Sequence, residues 1–178
     1  MMISKFYTAV AFFLILFITS CGKGDNSSGN GLNSDAYIKC NIDGQVRNFS
    51  YYANANDKPA SDKVQAVVIG GWEGSDMLKT PAIVIRLNKL DGIIPGEYSS
   101  ENKTYELSSD YYYQEYKNGV IDNTVTYTAD GSLETDIKLS ITSLNNWGVK
   151  GKFSGKYRLS TSNEWKTITN GEFAVPYN

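Results

Sequence analysis

Histidine is absent from this chain, and cysteine occurs only twice in its 178 residues, as Cys21 and Cys40. The lack of histidine excludes a Ser-His-Asp or Cys-His catalytic arrangement and a histidine-ligated zinc site. If Cys21 carries a lipid, Cys40 is the remaining thiol. An intrachain disulfide and a thiolate metal cage are then excluded. Cys40 alternates with Ile38 and Ile42 on one face of a predicted strand, and this favours a small buried side chain over a reactive or intermolecular thiol.

An excess of charge of either sign is also lacking, because 17 basic residues face 19 acidic ones and the formal net charge is −2. No basic surplus favours nucleic acid as a partner, and no acidic surplus indicates disorder. The acidic residues form no calcium-binding loop of the Asp-x-Asp-x-Asp-Gly type, and nothing fixes the carboxylate separation that a glycosidase needs. We therefore predict no catalytic residues, no metal site and no cofactor, and a protein that is not an enzyme.

An apolar segment close to the amino terminus is the clearest localisation signal in the sequence. The residues from Ala9 to Ile18 carry no polar side chain and follow Lys5. Ten residues are too few for a membrane span, which needs about 20, and are typical of a signal-peptide core. The next residues, Ile18-Thr19-Ser20-Cys21, resemble the lipobox of bacterial lipoproteins. This resemblance implies that signal peptidase and the lipoprotein-processing machinery remove residues 1–20 and attach lipid to Cys21. Two alternatives are a signal peptide cleaved elsewhere, which leaves Cys21 an ordinary residue, and an uncleaved hydrophobic tail.

The segment after the cysteine predicts a tether. Residues 21–34 are mainly glycine, serine and asparagine, a composition typical of a flexible linker, and residues 35–178 are long enough for a single domain. In bacterial lipoproteins an aspartate after the cysteine favours retention in the inner membrane, whereas here Gly22 follows Cys21. The resemblance therefore implies an outer-membrane lipoprotein of the cell envelope, periplasmic or surface-exposed, which contacts the membrane through its lipid anchor.

The remaining sequence predicts strands throughout, because apolar and polar residues alternate between turn signals and no stretch keeps a capped helical period. Asp43-Gly44, Asn118-Gly119 and Asp130-Gly131 are hairpin signals. About nine strands in an antiparallel meander predict an all-β antiparallel β-sandwich, with an open or closed up-and-down β-barrel of lipocalin-like form as the alternative. Asn170-Gly171 fits either a hairpin turn or a bulge within one strand. Gly151 lies on the apolar face of its strand, where a bulge or a large side chain needs room.

Four further motifs resemble a group of small lipoproteins from Bacteroidota. They are Ile42-Asp43-Gly44, the segment from Ile94 to Tyr98, the segment from Val149 to Gly155, and the terminal segment from Ile168 to Pro176. The resemblance covers most of the chain after the linker, although the motifs are strand and turn patterns. It implies a secreted, lipid-anchored all-β domain of unknown function, and it supplies no catalytic residues.

Aromatic residues are the candidate binding residues. Tyr111 and Tyr113 are predicted on one face of a hairpin strand, with Tyr112 and Tyr116 on the other. Tyrosine combines a large apolar ring with a hydroxyl group, which suits sugars and protein partners. Trp72 is a second candidate, placed in a loop. The alternatives are that tyrosine is simply a favoured strand residue and that Trp72 plugs one end of the core.

A basic stripe is predicted along one strand. This stripe consists of Lys150, Lys152, Lys156 and Arg158. Acidic glycans or anionic headgroups could bind it, but we favour a solvated face with edge-protecting lysines.

The sequence leaves two functions. The first function is a non-catalytic binding module for a glycan or a protein, which predicts exposed rings on one face. The alternative is a structural or assembly lipoprotein of the outer membrane without a small-molecule ligand, which predicts an apolar patch or a bare sheet edge.

Overall fold

The computed structural model describes residues 35–61 and 63–178. The predicted signal peptide and the predicted linker with Cys21 lie outside these residues. The described part contains eleven strands and no helix, which confirms the all-β prediction. The strands are β1 (Tyr37–Ile42), β2 (Gln45–Asn48), β3 (Tyr51–Ala55), β4 (Ala66–Trp72), β5 (Ala82–Asn88), β6 (Gly96–Ser99), β7 (Glu106–Lys117), β8 (Val120–Ala129), β9 (Asp136–Leu144), β10 (Gly148–Leu159) and β11 (Trp165–Pro176).

All strand pairs are antiparallel, and the sheet divides at β10. One edge of β10 pairs with β11, whereas the other pairs with β9 along residues 149–156 and with β8 at Arg158 and Leu159. Sheet I therefore runs in the order β6-β9-β10-β11-β1-β2, and sheet II in the order β8-β7-β5-β4-β3. The strands do not close into a barrel, so the β-sandwich prediction is confirmed and the closed barrel is wrong.

Local turn chemistry explains the hairpins. Asp43 and Gly44 have φ angles of 50° and 81°, and Asn118 and Gly119 have 54° and 79°. Two successive positive φ angles define the type I′ turn, whose twist matches that of the flanking strands. The turns after β1 and β7 therefore form where the sequence predicts them.

Three details of the structure either correct the sequence-based prediction or decide between its alternatives. The extra strands are β3, which follows a corner after β2, and β6, a short segment. Trp72 is the last residue of β4 rather than part of the following loop. Asn170, with a φ of 52°, forms a bulge within the continuous strand β11, because Phe153 pairs with Gly171 while Gly155 pairs with Ile168.

The inner faces of both sheets share one hydrophobic core, whose members lie between Ala36 and Val175. Its largest fully buried side chains include Tyr127, Tyr157, Phe49 and Phe173. A fragment that begins at residue 34 therefore carries the whole described core. Cys40 is a buried member of this core, and burial raises the pKa of its thiol to about 12. The side chain is accordingly an apolar packing group at neutral pH.

Candidate binding surface

The outer face of sheet II carries a row of side chains that begins with Trp72. The strand register places Trp72 opposite Ala82, and Ala82 opposite Tyr112, so the three residues share the outer face of β4, β5 and β7. Ala82 is 0% exposed although it points away from the core, because larger side chains surround its methyl group. Trp72 and Tyr112 are both half-buried. The two rings therefore flank a filled, close-packed floor.

Further aromatic side chains lie beside both ends of this row. Tyr51 lies opposite Trp72 on β3, and the ring of Tyr52 meets the Trp72 ring edge-to-face at 6.4 Å. Beyond Tyr112 along β7, the exposed Tyr116 donates a hydrogen bond from its hydroxyl to the Leu78 carbonyl at 2.7 Å. We call the five side chains Tyr51, Tyr52, Trp72, Tyr112 and Tyr116 the aromatic strip.

A charged pair borders the aromatic strip farther along the strands, with Asp110 one row and Arg86 two rows from the row of Trp72 and Tyr112. Arg86 Nη1 donates to Asp110 Oδ2 at 2.5 Å, and Thr128 Oγ1 donates to Asp110 Oδ1 at 2.7 Å. Burial raises the pKa of Tyr112, with a lowering contribution from Arg86 and a raising one from Asp110. The hydroxyl of Tyr112 therefore stays protonated at neutral pH and can donate or accept a hydrogen bond.

Tyr111 and Tyr113 lie on the opposite, core-facing side of β7. The Tyr111 ring is buried between Phe49, at 6.2 Å, and Tyr127, at 6.1 Å, and the Tyr113 ring lies 6.0 Å away. Burial also raises the pKa of Tyr111. The structure thus brings Trp72, Tyr112 and Tyr116 together on one surface and keeps Tyr111 and Tyr113 away from it.

Sequence reasoning missed two members of the aromatic strip, Tyr51 and Tyr52. Their adjacency in the sequence is a signal, but strand alternation predicts that two neighbouring tyrosines point to opposite faces. The φ of 50° at Tyr52 bends β3 and turns this pair toward Trp72. Such a corner follows from long-range pairing with β4 and leaves no turn motif in the sequence.

Within the described ranges, no group of three or more acidic, histidine or cysteine side chains is placed to hold a metal ion. No helix in that part of the chain is long and apolar enough to cross a bilayer. The chain matches no protein-family model, no curated protein and no solved structure. The resemblance to small Bacteroidota lipoproteins therefore stays a prediction.

Proposed function

We propose that the protein is a lipid-anchored lipoprotein of the cell envelope whose β-sandwich is a non-catalytic binding module for a glycan or a protein. The observation that carries the binding proposal is the aromatic strip with its close-packed floor at Ala82. Rings held on neighbouring strands are rigid, so a partner that packs on them does not have to order them first.

A glycan fits this surface better than a purely apolar partner. Trp72 and Tyr112 stand two strand spacings apart, which is about 10 Å, so together they span a short oligosaccharide rather than one sugar ring. The C–H faces of sugars can pack on the rings, while the Tyr112 hydroxyl and the Arg86–Asp110 pair supply hydrogen bonds to sugar hydroxyl groups. The strip is thus suited to a ligand that is apolar on its faces and polar at its edges.

Binding by the aromatic strip can be tested with a glycan array on the fragment from Ser34 onward. We expect the parent fragment to bind, and Trp72→Ala and Tyr112→Ala each to weaken binding at least about tenfold, as for central aromatic contacts in interfaces. Trp147→Ala is the matched control, because Trp147 is exposed in the turn between β9 and β10 and is not part of the aromatic strip. A parent fragment that binds no glycan, or equal losses in all three variants, would overturn the glycan proposal.

The lipid anchor has a separate test in the full-length chain expressed in a bacterium that processes lipoproteins. We expect a clickable palmitate analogue to label the parent and Cys40→Ser equally, and Cys21→Ser not at all. Cys40→Ser is the matched control because it removes the other thiol. Label on Cys21→Ser, or an intact unmodified amino terminus on the parent by mass spectrometry, would contradict the anchor.

A second candidate function is assembly through strand pairing, and the free edge of β8 favours it. Residues 120–125 pair with β7 on one side and with no other described strand on the other. Val120 is 69% exposed and Ile121 is 44% exposed at this edge. An open edge with few charges is a template for another strand, and a second copy of β8 could pair with it in antiparallel fashion.

The assembly candidate predicts a concentration-dependent dimer. Light scattering on the fragment from Ser34 should show a dimer for the parent and a monomer for Ile121→Lys, because a charge at the edge opposes strand addition. Leu133→Lys is the control, since Leu133 is also an exposed apolar residue but lies in the β8–β9 loop rather than on the strand edge. A monomeric parent at millimolar concentration would remove this candidate.

A further inference from the structure

A cleft opens on the outer surface where sheet I and sheet II separate. Because β10 exchanges its neighbour β9 for β8 at Arg158, the loop between β8 and β9 must pass beside the end of β10. The cleft has a volume of about 300 Å³. It is lined by Thr128, Asp130, Ser132, Leu133, Thr135, Arg158, Leu159 and Ser160. It lies on the strands that carry the basic stripe rather than on the aromatic strip.

Arg158 is the charged centre of this cleft, and its contacts differ from those of the other two arginines. Arg47 and Arg86 each form an ion pair with a carboxylate, namely Glu73 and Asp110. Arg158 donates from Nη2 to the neutral Asn163 side chain, and no described carboxylate forms an ion pair with it. Its buried Nε has no hydrogen-bond partner among the described residues. A partly buried guanidinium without an opposite charge is costly, and an anion at the cleft would offset that cost.

The acidic residue inside the cleft is already engaged by its own loop. Burial alone would raise the pKa of Asp130, but hydrogen bonds from Ser132 and Thr135 outweigh it and lower that pKa. Asp130 Oδ1 accepts from the Ser132 amide at 2.8 Å and from Thr135 Oγ1 at 3.2 Å. Its carboxylate therefore fastens the β8–β9 loop and is not the counter-charge of Arg158.

An aromatic ring adjoins this guanidinium. Trp165 on β11 lies opposite Arg158 on the outer face, and the Arg158 Cζ atom is 5.9 Å from the centre of its ring. Lys156 Nζ lies 4.0 Å from the same ring centre. A second open pocket, lined by Leu133, Glu134, Arg158, Asn163 and Trp165, joins the ring to the cleft residues. Two cations beside one flat ring offer charge pairing and stacking at the same place.

The backbone of the β8–β9 loop is held in a costly conformation beside the cleft. Gly131, Leu133 and Glu134 have φ angles of 79°, 49° and 66°. A left-handed conformation is unfavourable for a residue other than glycine, and such residues cluster at binding sites. The conformation leaves Leu133 70% exposed at the lip of the cleft instead of in the core. The loop thus presents an apolar side chain next to a cationic centre.

We propose that Arg158, Lys156 and Trp165 form a second binding site, which takes the carboxylate of an acidic sugar. The carboxylate accepts hydrogen bonds from the Arg158 guanidinium and lies near the Lys156 ammonium, while the sugar ring packs against Trp165 and Leu133. This site is separate from the aromatic strip and does not depend on it. At its Arg158 end, the basic stripe is then part of a binding site rather than only a solvated face.

Trp165 fluorescence provides a direct test on the fragment from Ser34 with Trp72→Phe and Trp147→Phe, so that Trp165 is the remaining indole. Titration with glucuronate should quench or shift the emission saturably, whereas glucose should not. Arg158→Gln should weaken the glucuronate response at least tenfold, and Arg158→Lys should also weaken it, because an ammonium cannot donate two parallel hydrogen bonds. Lys152→Gln removes the same charge three rows away on the same face of β10 and should leave the response unchanged.

Each other outcome counts against the site. No saturable response to glucuronate, or equal losses in Arg158→Gln and Lys152→Gln, would overturn it. An equal response to inorganic sulfate would overturn the sugar-ring contact with Trp165 and leave an adventitious oxyanion site. Because Trp72 is replaced throughout, a failure here is distinct from a failure of the aromatic strip, which the glycan array tests with Trp72 in place.

Discussion

Two hydroxyl groups connect three strands inside the core. The fully buried Tyr157 of β10 donates from its hydroxyl to Ser109 Oγ at 2.8 Å, and Ser109 on β7 donates to the Val84 carbonyl at 2.9 Å. Burial raises the pKa of Tyr157, so its hydroxyl remains a donor at any ordinary pH. This chain of hydrogen bonds joins sheet I to sheet II.

The direction of these hydrogen bonds predicts unequal costs for removing either oxygen. In Tyr157→Phe, Ser109 keeps its bond to Val84, so we expect a loss of about 1 kcal/mol in the free energy of unfolding. In Ser109→Ala, the Tyr157 hydroxyl is left buried without a partner, which should cost more, about 1–3 kcal/mol. Urea unfolding of both variants checks the order, and a larger loss in Tyr157→Phe would contradict the assigned donors.

Glycines in β10 and β11 allow aromatic rings to cross these strands. A Cβ atom on Gly151 would lie 2.1 Å from the Ser140 carbonyl oxygen and 2.7 Å from Cζ of Phe173. A Cβ atom on Gly171 would similarly lie within 2.7 Å of the Phe153 ring. The sequence-based expectation that a large side chain needs room at Gly151 is confirmed, and the side chain is Phe173.

Gly151→Ala is therefore expected to destabilise the strand pair by about 1–3 kcal/mol, the usual cost of overpacking, and the backbone contact places it at the upper end. Gly70→Ala is the matched control in β4, because its added Cβ would meet ordinary contacts at 3.6 Å. We expect Gly70→Ala to lie within about 0.5 kcal/mol of the parent or to be slightly more stable. Thermal unfolding measures both, and equal melting temperatures would contradict the packing described here.

The β1–β2 turn gives the fold a pH-dependent contact with β11. Burial alone would raise the pKa of Asp43, but the Thr167 amide and the Lys166 ammonium outweigh it, and the pKa falls below its ordinary value of 3.8. Asp43 Oδ1 accepts from Thr167 at 2.9 Å, and Oδ2 lies 3.0 Å from Lys166 Nζ. A lowered pKa in the folded state stabilises the fold above the ordinary pKa, and this gain is lost as the pH falls.

Asp43→Asn isolates the charge, because asparagine tolerates the φ of 50° and keeps an oxygen for the Thr167 amide. We expect the variant to be less stable than the parent by up to about 1 kcal/mol at pH 7, and the difference to shrink as the pH falls below the ordinary carboxyl pKa of 3.8. Asp35→Asn changes the same charge at an exposed residue and should show no such difference. A gap between parent and Asp43→Asn that stays constant as the pH falls from 7 to 2 would contradict the ion pair.

Local signals predicted the β1–β2 and β7–β8 turns and the faces of the strands, whereas the hairpin predicted at Asp130-Gly131 is wrong because β8 and β9 lie in different sheets. Long-range pairing decided what the local signals could not. Asp43-Gly44 marks its turn because the two residues themselves adopt positive φ. Alternation alone separates Tyr112 from Tyr111. Tyr112 and Trp72, however, lie in one row only because β5 pairs with both of their strands in the observed register. The Arg158 cleft depends on β10 exchanging neighbours, a choice that no short motif encodes.

The two sheets are also joined by an ion pair between β2 and the residue that follows β4. Arg47 of β2, in sheet I, donates two hydrogen bonds to Glu73, which follows β4 in sheet II, one of them from Nη2 at 2.8 Å. The hydrogen bonds that Arg47 donates to the Glu73 carboxylate raise the pKa of the Arg47 guanidinium. The side chains are 29% and 20% exposed, so the pair lies between a surface and a buried ion pair.

Glu73→Gln should therefore lower the free energy of unfolding by about 1–3 kcal/mol, more than a surface pair and less than a fully buried one. Glu97→Gln is the matched control, because the exposed Glu97 contacts only Ser140 of its own sheet, and the amide oxygen can still accept that hydrogen bond. The loss should be local as well as global, since Arg47 holds the β2–β3 corner against β4. Amide hydrogen exchange should become faster in β2 and β3 of Glu73→Gln while β9 keeps its protection. If exchange instead rises equally in all strands, the two sheets are held together by the core alone and the ion pair contributes no local restraint.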